Sequence, residues 1–306
     1  MRWCTFRTGG EPGPRAGLID GDRVLGLDPP RQLVDVIASR DLMTRAAELA
    51  IRSPREVHEL AAVELVAPVP VPPSVRDFMA FEEHVVSSAQ ARGGTVHPDW
   101  YEIPVFYFTN PAAVQGPTQD VRMAPGSAAF DFELEVAAVI GSPGADISAA
   151  DAEQHIAGYT VLCDWSARDL QEREMRLGLG PAKGKDTATS IGPVLVTPDE
   201  LEPFRAGNGY DLAMTASVNG CPYSAGNLAS IHWSFPQLVE HAARGTRLRT
   251  GDVLGSGTVG TGCILELSRV HGGDAYPWLT SGDVVELTVD HLGTIRSTVR
   301  AWASAA

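Results

Sequence analysis

The stretch Phe130-Asp-Phe-Glu-Leu-Glu-Val-Ala-Ala-Val-Ile140 decides the fold class of this chain of 306 residues. Its first half alternates acidic and apolar side chains with a period of two, which is typical of a β-strand. On such a strand Asp131, Glu133 and Glu135 face one way, and the run becomes wholly apolar from Val136 onward. The stretch therefore predicts an interior strand that carries acidic groups on one face.

Carboxylates placed side by side on a half-buried strand repel one another. Burying each one costs on the order of several kcal/mol unless another group compensates its charge. A divalent cation is the simplest compensation, and ligation by oxygen atoms alone favours Mg²⁺, Mn²⁺ or Ca²⁺ over zinc. For this stretch taken alone, a solvated strand face is the alternative interpretation.

Asp164 follows the apolar run 159–163, which predicts a strand that ends at this carboxylate. We interpret Asp164 either as a metal ligand at the strand end or as the N-cap of a helix that begins two residues later. On that helix Arg168 and Gln171 are three residues apart and share a face. Arg168 could equally form a surface pair with Glu172.

Asp77 and His84 are seven residues apart in a predicted helix over residues 77–91. Seven residues make nearly two helical turns, so both side chains are expected to project from one side. A histidine in this position is a candidate general base, although a single histidine on a helix is often structural or simply exposed.

The remaining segments predict a β-rich α+β protein. Hairpins are expected over residues 16–27 and 284–299, and helices over 32–52, 149–157 and 235–244. The proline-rich segment 67–73 cannot lie inside a helix or a central strand. We therefore predict a small N-terminal α/β domain over residues 1–70 and a larger mixed domain over 71–306.

Residues 255–260 match the pattern GxGxxG of dinucleotide-binding loops. Such a loop must lead into a helix, whereas the following residues 263–267 predict a strand. We therefore exclude a dinucleotide site at this position.

The amino-acid composition narrows the possible binding partners and the cellular compartment. The formal net charge of −14 and the absence of any stretch rich in Lys and Arg argue against nucleic acid. No apolar run approaches the roughly 18 residues that span a bilayer, and the N-terminus lacks an apolar signal core. The cysteines are isolated, and Cys163 and Cys263 lie in apolar runs that predict buried free thiols. A cytoplasmic protein without a membrane partner is expected.

From Ser74 to the end, the sequence resembles fumarylacetoacetate hydrolase and its relatives. The resemblance lies in six short motifs in the same order: Arg76-Asp-Phe-Met-Ala-Phe-Glu-Glu-His84, Ile103-Pro-Val-Phe-Tyr107, Phe132-Glu-Leu-Glu135, Cys163-Asp-Trp-Ser-Ala-Arg-Asp-Leu-Gln171, Gly184-Lys-Asp-Thr-Ala-Thr-Ser-Ile-Gly-Pro193, and Gly257-Thr258 with Leu265-Glu-Leu267. The resemblance implies a mixed β-sandwich roll for the main domain, a smaller N-terminal domain and a homodimer.

The resemblance also implies roles for individual residues. One Mg²⁺-class ion (Mg²⁺, or Mn²⁺ or Ca²⁺) would be bound by Asp77, Glu133, Glu135 and Asp164. Glu266 would orient His84, which activates a water molecule. Arg168, Gln171 and Lys185 would surround the developing oxyanion. Substrate contacts would come from Tyr107, Thr258 and Arg92.

The resemblance leaves three functional hypotheses. The first is hydrolysis of a carbon–carbon bond in a β-diketone or acylpyruvate-type acid, which uses both His84 and Glu266. The second keeps the metal site for decarboxylation of an oxaloacetate-like acid, or for isomerisation or hydration of a 2-oxo-enoate. The third is a binding protein that keeps the metal for structure. Met79 and Met175 stand where the animal enzyme has tyrosines, which indicates a small-molecule oxo-acid other than fumarylacetoacetate.

Overall fold

The computed structural model describes residues 1–10, 13–90 and 93–302. Its first strands are β1 (Arg2–Arg7), β2 (Arg15–Asp20), β3 (Arg23–Gly26), β4 (Glu56–Glu59), β5 (Glu64–Val66), β6 (Val75–Phe78), β7 (Phe106–Thr109), β8 (Val114–Gln115), β9 (Val121–Arg122), β10 (Phe130–Asp131), β11 (Leu134–Ile140) and β12 (Gly144–Ala145). The later strands are β13 (Ile156–Asp164), β14 (Ser166–Ala167), β15 (Thr189–Val196), β16 (Arg205–Ala206), β17 (Gly209–Tyr210), β18 (Ala213–Val218), β19 (Cys221–Asn227), β20 (Arg247–Leu248), β21 (Val253–Gly255), β22 (Val284–Val289) and β23 (Gly293–Arg300).

The described ranges also contain α-helices. They are α1 (Leu33–Val36), α2 (Arg40–Arg52), α3 (Glu82–Gln90), α4 (Arg168–Met175), α5 (Pro198–Leu201), α6 (Phe235–Ala243) and α7 (Ile264–His271). Among the helices of the described ranges, none combines the length and the apolar character needed to cross a membrane.

Two sheets form the framework of the molecule. The larger sheet has the strand order β4-β3-β2-β1-β15-β13-β11-β21-β6-β7, with β5 added beside β1 and β8 beside β15. The second sheet has the order β19-β18-β22-β23-β9. This mixed, strand-rich architecture confirms the predicted fold class. Because β1 pairs with β15, the N-terminal strands continue the large sheet, and the proposed boundary near residue 70 stays a prediction.

Strand β11 lies at the centre of the large sheet, between β13 and β21. Every one of its residues is buried, as its apolar sequence predicts. Alternate side chains enter two cores: Val136 and Ala138 pack in the larger one, whereas Ala137 and Val139 pack in the core that contains Met43 of α2. Burial on both faces explains why the strand loses its acidic alternation after Glu135.

Both predicted hairpins and the helix α6 are confirmed. The helix predicted over 32–52 is instead two helices, since Ser39 caps α2 with a hydrogen bond from the Leu42 N–H. In the region predicted as a helix over 149–157, the structure has a short 3₁₀ turn at Ala152–Gln154, and β13 begins at Ile156. The backbone ladder with β11 begins at Ile156 and prevents a helix from continuing there.

Candidate functional site

Four buried carboxylates, called the acid cluster here, lie together at one end of the large sheet. They belong to Asp77, Glu133, Glu135 and Asp164, and one oxygen atom from each lies within 4.8 Å of the others. Asp77 is in β6, Glu135 is in β11, Asp164 ends β13, and Glu133 directly precedes β11. The adjacency of these strands in the sheet brings the predicted metal ligands together.

Gly255 in β21 provides the space that the acid cluster occupies. It is the register partner of Asp77 in β6 and of Ala137 in β11. A Cβ atom at this position would lie 2.5 Å from Asp77 Oδ1 and 3.0 Å from Glu135 Oε2. Two residues later, the backbone N–H of Gly257 donates to Glu135 Oε2 at 3.0 Å. The glycine-rich segment thus lets two carboxylates approach the backbone.

The same segment does lead into a helix, because α7 begins at Ile264. The prediction of a strand over 263–267, on which we excluded a dinucleotide site, is wrong. The glycines nevertheless face carboxylates, since a Cβ atom on Gly260 would overlap the side chain of Glu83. Clustered carboxylates repel a pyrophosphate, so the exclusion rests on charge rather than on secondary structure.

Two buried cations hold the acid cluster from one side. Lys185 Nζ donates to Glu133 Oε2 at 2.7 Å and to Asp164 Oδ2 at 2.5 Å. Arg168 Nη1 lies 2.7 Å from Glu133 Oε1, while its Nε donates to Asp131 Oδ2 at 2.7 Å. Both oxygens of Glu133 therefore have cationic partners, whereas the other members of the cluster are less completely paired.

The proton affinities of the cluster follow from burial and charge. Burial, followed by the charge of Asp164, raises the pKa of Asp77 to about 8. Burial and then the charge of Asp77 raise the pKa of Glu135 well above its ordinary value. Burial also acts to raise the pKa of Glu133, but Lys185 and the neighbouring guanidinium outweigh it and hold that pKa below its ordinary value. The cluster thus contains more carboxylates than its own cations neutralise.

The unpaired oxygen atoms of the cluster show whether it fits a metal ion. Asp77 Oδ1, Glu135 Oε1 and Asp164 Oδ1 are buried and have no hydrogen-bond partner within the described residues. Each such group costs about 1–3 kcal/mol if left unsatisfied. One divalent cation would satisfy all of them, and the all-oxygen donor set suits Mg²⁺, Mn²⁺ or Ca²⁺. The residues present therefore fit the predicted ion.

His84 and Glu266 form a buried pair beside the acid cluster. His84 Nδ1 lies 2.9 Å from Glu266 Oε2, and the pair joins α3 to α7. A carboxylate at Nδ1 favours the tautomer with its hydrogen on that atom and leaves Nε2 as the acceptor. The prediction that Asp77 and His84 share one helix is wrong, because Asp77 lies in β6 and pairs with Gly255 and Tyr107. His84 nevertheless lies near the cluster, since it acts electrostatically on Glu133.

The predicted substrate-binding residues differ in how the structure places them. Tyr107 donates from its hydroxyl to Asp164 Oδ2 at 2.5 Å and lies 3.4 Å from Asp77 Oδ2. Burial and then Asp164 raise the pKa of Tyr107 well above its ordinary value, so its hydroxyl remains a donor. Thr258 is buried in the loop after β21, without a side-chain hydrogen bond to the cluster in the described structure. Arg92 lies outside the described residues.

Arg168 and Gln171 share one face of α4, as predicted, and Arg168 Nη1 donates to Gln171 Oε1 at 3.1 Å. Two alternatives from the sequence are wrong. Asp164 is the last residue of β13 and does not cap α4, which begins at Arg168. Arg168 pairs with buried acidic groups rather than with Glu172.

Asp131 has a role that the alternating pattern did not reveal. Its Oδ1 accepts from the Ile264 N–H at 2.8 Å and its Oδ2 from the Leu265 N–H at 3.0 Å. These donors are at the start of α7, so Asp131 caps the helix that carries Glu266. Asp131 also binds Arg168, and it therefore positions two candidate catalytic residues at once.

Glu174 is a second residue that sequence reasoning missed. Its carboxylate accepts from the backbone N–H groups of Ala182 at 2.9 Å, Lys183 at 2.7 Å and Gly184 at 3.1 Å. These contacts fix the segment that carries Lys185 into the acid cluster. No local pattern signals such a role, because the acceptors and donors meet only after the chain has folded back.

Comparisons with known proteins agree with this fold. The family model described as fumarylacetoacetate (FAA) hydrolase C-terminal matches residues 74–300. An oxaloacetate tautomerase of Bacillus subtilis is 31% identical over 88% of this chain and 87% of its own length. A fumarylacetoacetase of Arabidopsis thaliana is 28% identical over 76% of this chain, and the match spans 66% of that enzyme.

A solved structure extends the likeness to the whole chain. It is described as a probable 2-hydroxyhepta-2,4-diene-1,7-dioate isomerase from Mycobacterium abscessus. The two proteins share 26% identity with a TM-score of 0.72, and the match covers 99% of this chain and 100% of the other. The fold and these relatives identify the chain as a member of an enzyme superfamily that acts on small molecules.

The chain belongs to the fumarylacetoacetate hydrolase family. The relatives named above include a hydrolase, an isomerase and a tautomerase, so membership alone leaves the reaction to be argued from the site.

Proposed function

We propose that this protein is a divalent-metal-dependent hydrolase that cleaves a carbon–carbon bond in an acylpyruvate-type acid or another β-diketone acid. The observation that carries the proposal is the buried His84–Glu266 pair beside the acid cluster. A histidine held at one ring nitrogen by a carboxylate is suited to take a proton from water at the other.

The metal would be held by Asp77, Glu133, Glu135 and Asp164, and the oxygen ligands favour Mg²⁺, with Mn²⁺ or Ca²⁺ as alternatives. When bound, it polarises the carbonyl group under attack and stabilises the enolate that leaves.

His84 and Glu266 would handle the proton of the attacking water. Nε2 of His84 takes this proton while the water oxygen attacks the carbonyl carbon. Glu266, 2.9 Å from Nδ1, keeps the ring in its tautomer and stabilises the imidazolium that results. The proton is then available to the carbon that leaves when the bond breaks.

Lys185 and Arg168 would stabilise the developing oxyanion. Burial acts to lower the pKa of Lys185, but Asp164 and Glu133 outweigh it and hold that pKa above its ordinary value. Lys185 is therefore a permanent donor and not a base. Gln171 fixes Arg168 through the hydrogen bond along α4. Removing one such donor typically lowers the rate by about 10²–10³-fold.

The test is a direct assay of diketone cleavage. Loss of diketone absorbance would be followed with a panel of acylpyruvates and fumarylacetoacetate, in Mg²⁺ and in chelator. The proteins compared would be the wild type, His84→Ala and the matched control His97→Ala, whose side chain is 77% exposed. We expect metal-dependent formation of two acids, lost by about 10²–10⁴-fold only in His84→Ala.

Absence of cleavage for every diketone, with the metal bound, would overturn the proposal. Equal activity of His84→Ala and His97→Ala would show that the dyad does not activate the water.

A second candidate function is interconversion of the keto and enol forms of an oxaloacetate-like acid. The 31% identity to the tautomerase of Bacillus subtilis over most of both chains favours it. The same His84 would then move a proton at carbon, with no bond between carbon atoms broken. Product analysis on oxaloacetate separates this activity from decarboxylation, since only decarboxylation releases CO₂.

A further inference from the structure

A second group of metal-binding side chains shares the dyad with Cys263. A ring nitrogen of His84, the Sγ of Cys263 and a carboxylate oxygen of Glu266 lie within 4.8 Å of one another, and all three residues are buried. This group offers nitrogen, sulfur and oxygen, whereas the acid cluster offers oxygen alone. The backbone of Cys263 bridges to Glu133, so the two groups adjoin each other.

We propose that His84, Cys263 and Glu266 bind a thiophilic divalent cation such as Zn²⁺, separately from the ion of the acid cluster, and that this cation inhibits the enzyme. The binding part of the proposal rests on geometry alone. The inhibition part rests on the proposed role of His84.

The ligand types separate the two sites chemically. Thiolate and imidazole groups favour Zn²⁺, which accepts three protein ligands and leaves a position open for water. Carboxylates alone favour the harder ions Mg²⁺, Mn²⁺ and Ca²⁺. Saturation with Mg²⁺ is therefore expected to fill the acid cluster and to leave the second group available.

Two packed helices supply the second group. Cys263 directly precedes α7 and Glu266 lies in its first turn, so their side chains are three residues apart on one face. His84 comes from α3, which packs against α7. In tetrahedral coordination, nitrogen and oxygen ligands about 2 Å from zinc lie roughly 3.3 Å apart. The observed 2.9 Å between His84 Nδ1 and Glu266 Oε2 needs only a small opening.

The charges around the second group and its exposure to solvent are compatible with binding of a cation. Asp131, Glu133 and Arg168 act electrostatically on Cys263, which places two carboxylates against one guanidinium around the thiol. The side chain of His84 is 11% exposed, so the group is in contact with solvent at this residue. Binding would release the thiol proton of Cys263 to solvent and form a zinc–thiolate bond, with no change of oxidation state.

Occupancy would remove the function of the dyad. The cation would replace the hydrogen bond between His84 and Glu266, so the ring could no longer accept a proton while stabilised by the carboxylate. The acid cluster would keep its own ion, and inhibition would not be relieved by adding more Mg²⁺.

The test uses Cd²⁺ as a spectroscopic substitute for Zn²⁺ on the full chain in excess Mg²⁺. The host variant is Cys221→Ser, which removes the exposed thiol, and it is compared with the same host carrying Cys263→Ser. We expect an ultraviolet cadmium–thiolate band in the host and its loss in the double variant. The half-inhibitory concentration of Zn²⁺, measured relative to the activity of each protein without zinc, should rise by at least about 10-fold in the double variant.

Equal cadmium bands in the two proteins would overturn the binding site. Loss of the band with unchanged zinc inhibition would overturn the inhibitory role. Circular dichroism and the unfolding midpoint verify that the variants are folded, and Cys263→Ala replaces the serine if they are not. The cadmium NMR shift of the Cys221→Ser host reports sulfur ligation without any change at Cys263, and its absence would also overturn the site. These readouts of binding do not depend on diketone cleavage, so a failure here is distinct from a failure of the proposed reaction.

Discussion

Asp131 and the acid cluster are adjacent buried acidic regions that differ in how their oxygen atoms are satisfied. Asp131 Oδ1 accepts from the N–H groups of Phe132 and Ile264, and its Oδ2 accepts from Leu265 and from Arg168. In the acid cluster, by contrast, one oxygen each of Asp77, Glu135 and Asp164 has no partner within the described chain.

Burial alone therefore does not identify a binding site in this protein. A carboxylate whose oxygens all have donors stabilises the fold, whereas buried oxygens without donors indicate a ligand that supplies the missing charge. Asp252 belongs to the first kind, since it accepts from Ser74 Oγ at 2.7 Å and from the Arg249 N–H at 2.7 Å.

The largest effect on stability is expected where the carboxylate is fully paired. Asp131→Asn should lower the free energy of unfolding by about 3–5 kcal/mol, because it leaves Arg168 with one buried partner fewer and weakens the start of α7. Glu135→Gln should leave the stability in chelator unchanged or raise it, since burial and then the charge of Asp77 disfavour the charged carboxylate that it removes. Urea denaturation in chelator and in Mg²⁺ measures the free energy of unfolding of both variants. Equal losses in the two variants would erase the distinction between the regions.

Gly255→Ala tests the space that the acid cluster needs. The added Cβ would lie 2.5 Å from Asp77 Oδ1 and would displace that carboxylate. We expect the affinity for Mn²⁺ to fall by about 10–100-fold, by analogy with changes that misplace metal ligands. Gly273→Ala is the matched control, because no atom lies within 4 Å of its added Cβ. Similar affinities in the two variants would contradict the assigned role of Gly255.

Glu174→Ala tests whether the hydrogen bonds of Glu174 to residues 182–184 are needed to position Lys185. Loss of three backbone hydrogen bonds should loosen residues 182–184 and displace Lys185 from the cluster. We expect kcat to fall by on the order of 10-fold, less than for removal of a donor that touches the oxyanion. Steady-state kinetics on the cleaved diketone, with the exposed Glu172→Ala as control, measures the effect. An unchanged kcat would show that Lys185 is held by its ion pairs alone.

The smallest effect, a change in the free energy of unfolding, is expected far from the acid cluster, at Glu56 and Arg15 in the N-terminal strands. The hydrogen bond from Arg15, with a smaller contribution from His58, lowers the pKa of Glu56 to about 2. A lowered folded-state pKa adds stability above the unfolded-state value of about 4.5, and this stability is lost as the pH falls toward 2. Glu56→Gln should cost about 1 kcal/mol at neutral pH after solvent screening. This cost should shrink as the pH falls and disappear once the pH passes below about 2. Urea denaturation across pH measures this difference, and a loss that does not depend on pH would assign it to packing.

The sequence predicted the membership of the acid cluster better than its geometry. The alternation around Glu133 and the short motifs identified the carboxylates, because these features are local. Placing Asp77 on a helix was wrong because pairing of β6 with β7 and β21 overrides the local pattern. Local patterns carry no information on strand partners that are distant in the chain.

The start of α7 also shows that local sequence patterns miss contacts between residues distant in the chain. Residues 263–267 predicted a strand, whereas they begin a helix whose own N-cap residue, Cys263, makes no side-chain capping hydrogen bond. The cap is supplied by Asp131, more than a hundred residues earlier, through the N–H groups of Ile264 and Leu265. The helix that carries Glu266 therefore depends on a contact that only the folded chain makes.

Titration with Mn²⁺, followed by electron spin resonance of the free ion, tests the central claim most directly. It would compare the wild type with Glu135→Gln, Asp164→Asn and the matched control Asp252→Asn. The account predicts one tightly bound ion per chain in the wild type and in Asp252→Asn, and greatly weakened binding in the other two variants. Undiminished binding in Asp164→Asn and Glu135→Gln, or none in the wild type, would contradict the assignment of the acid cluster as a metal site.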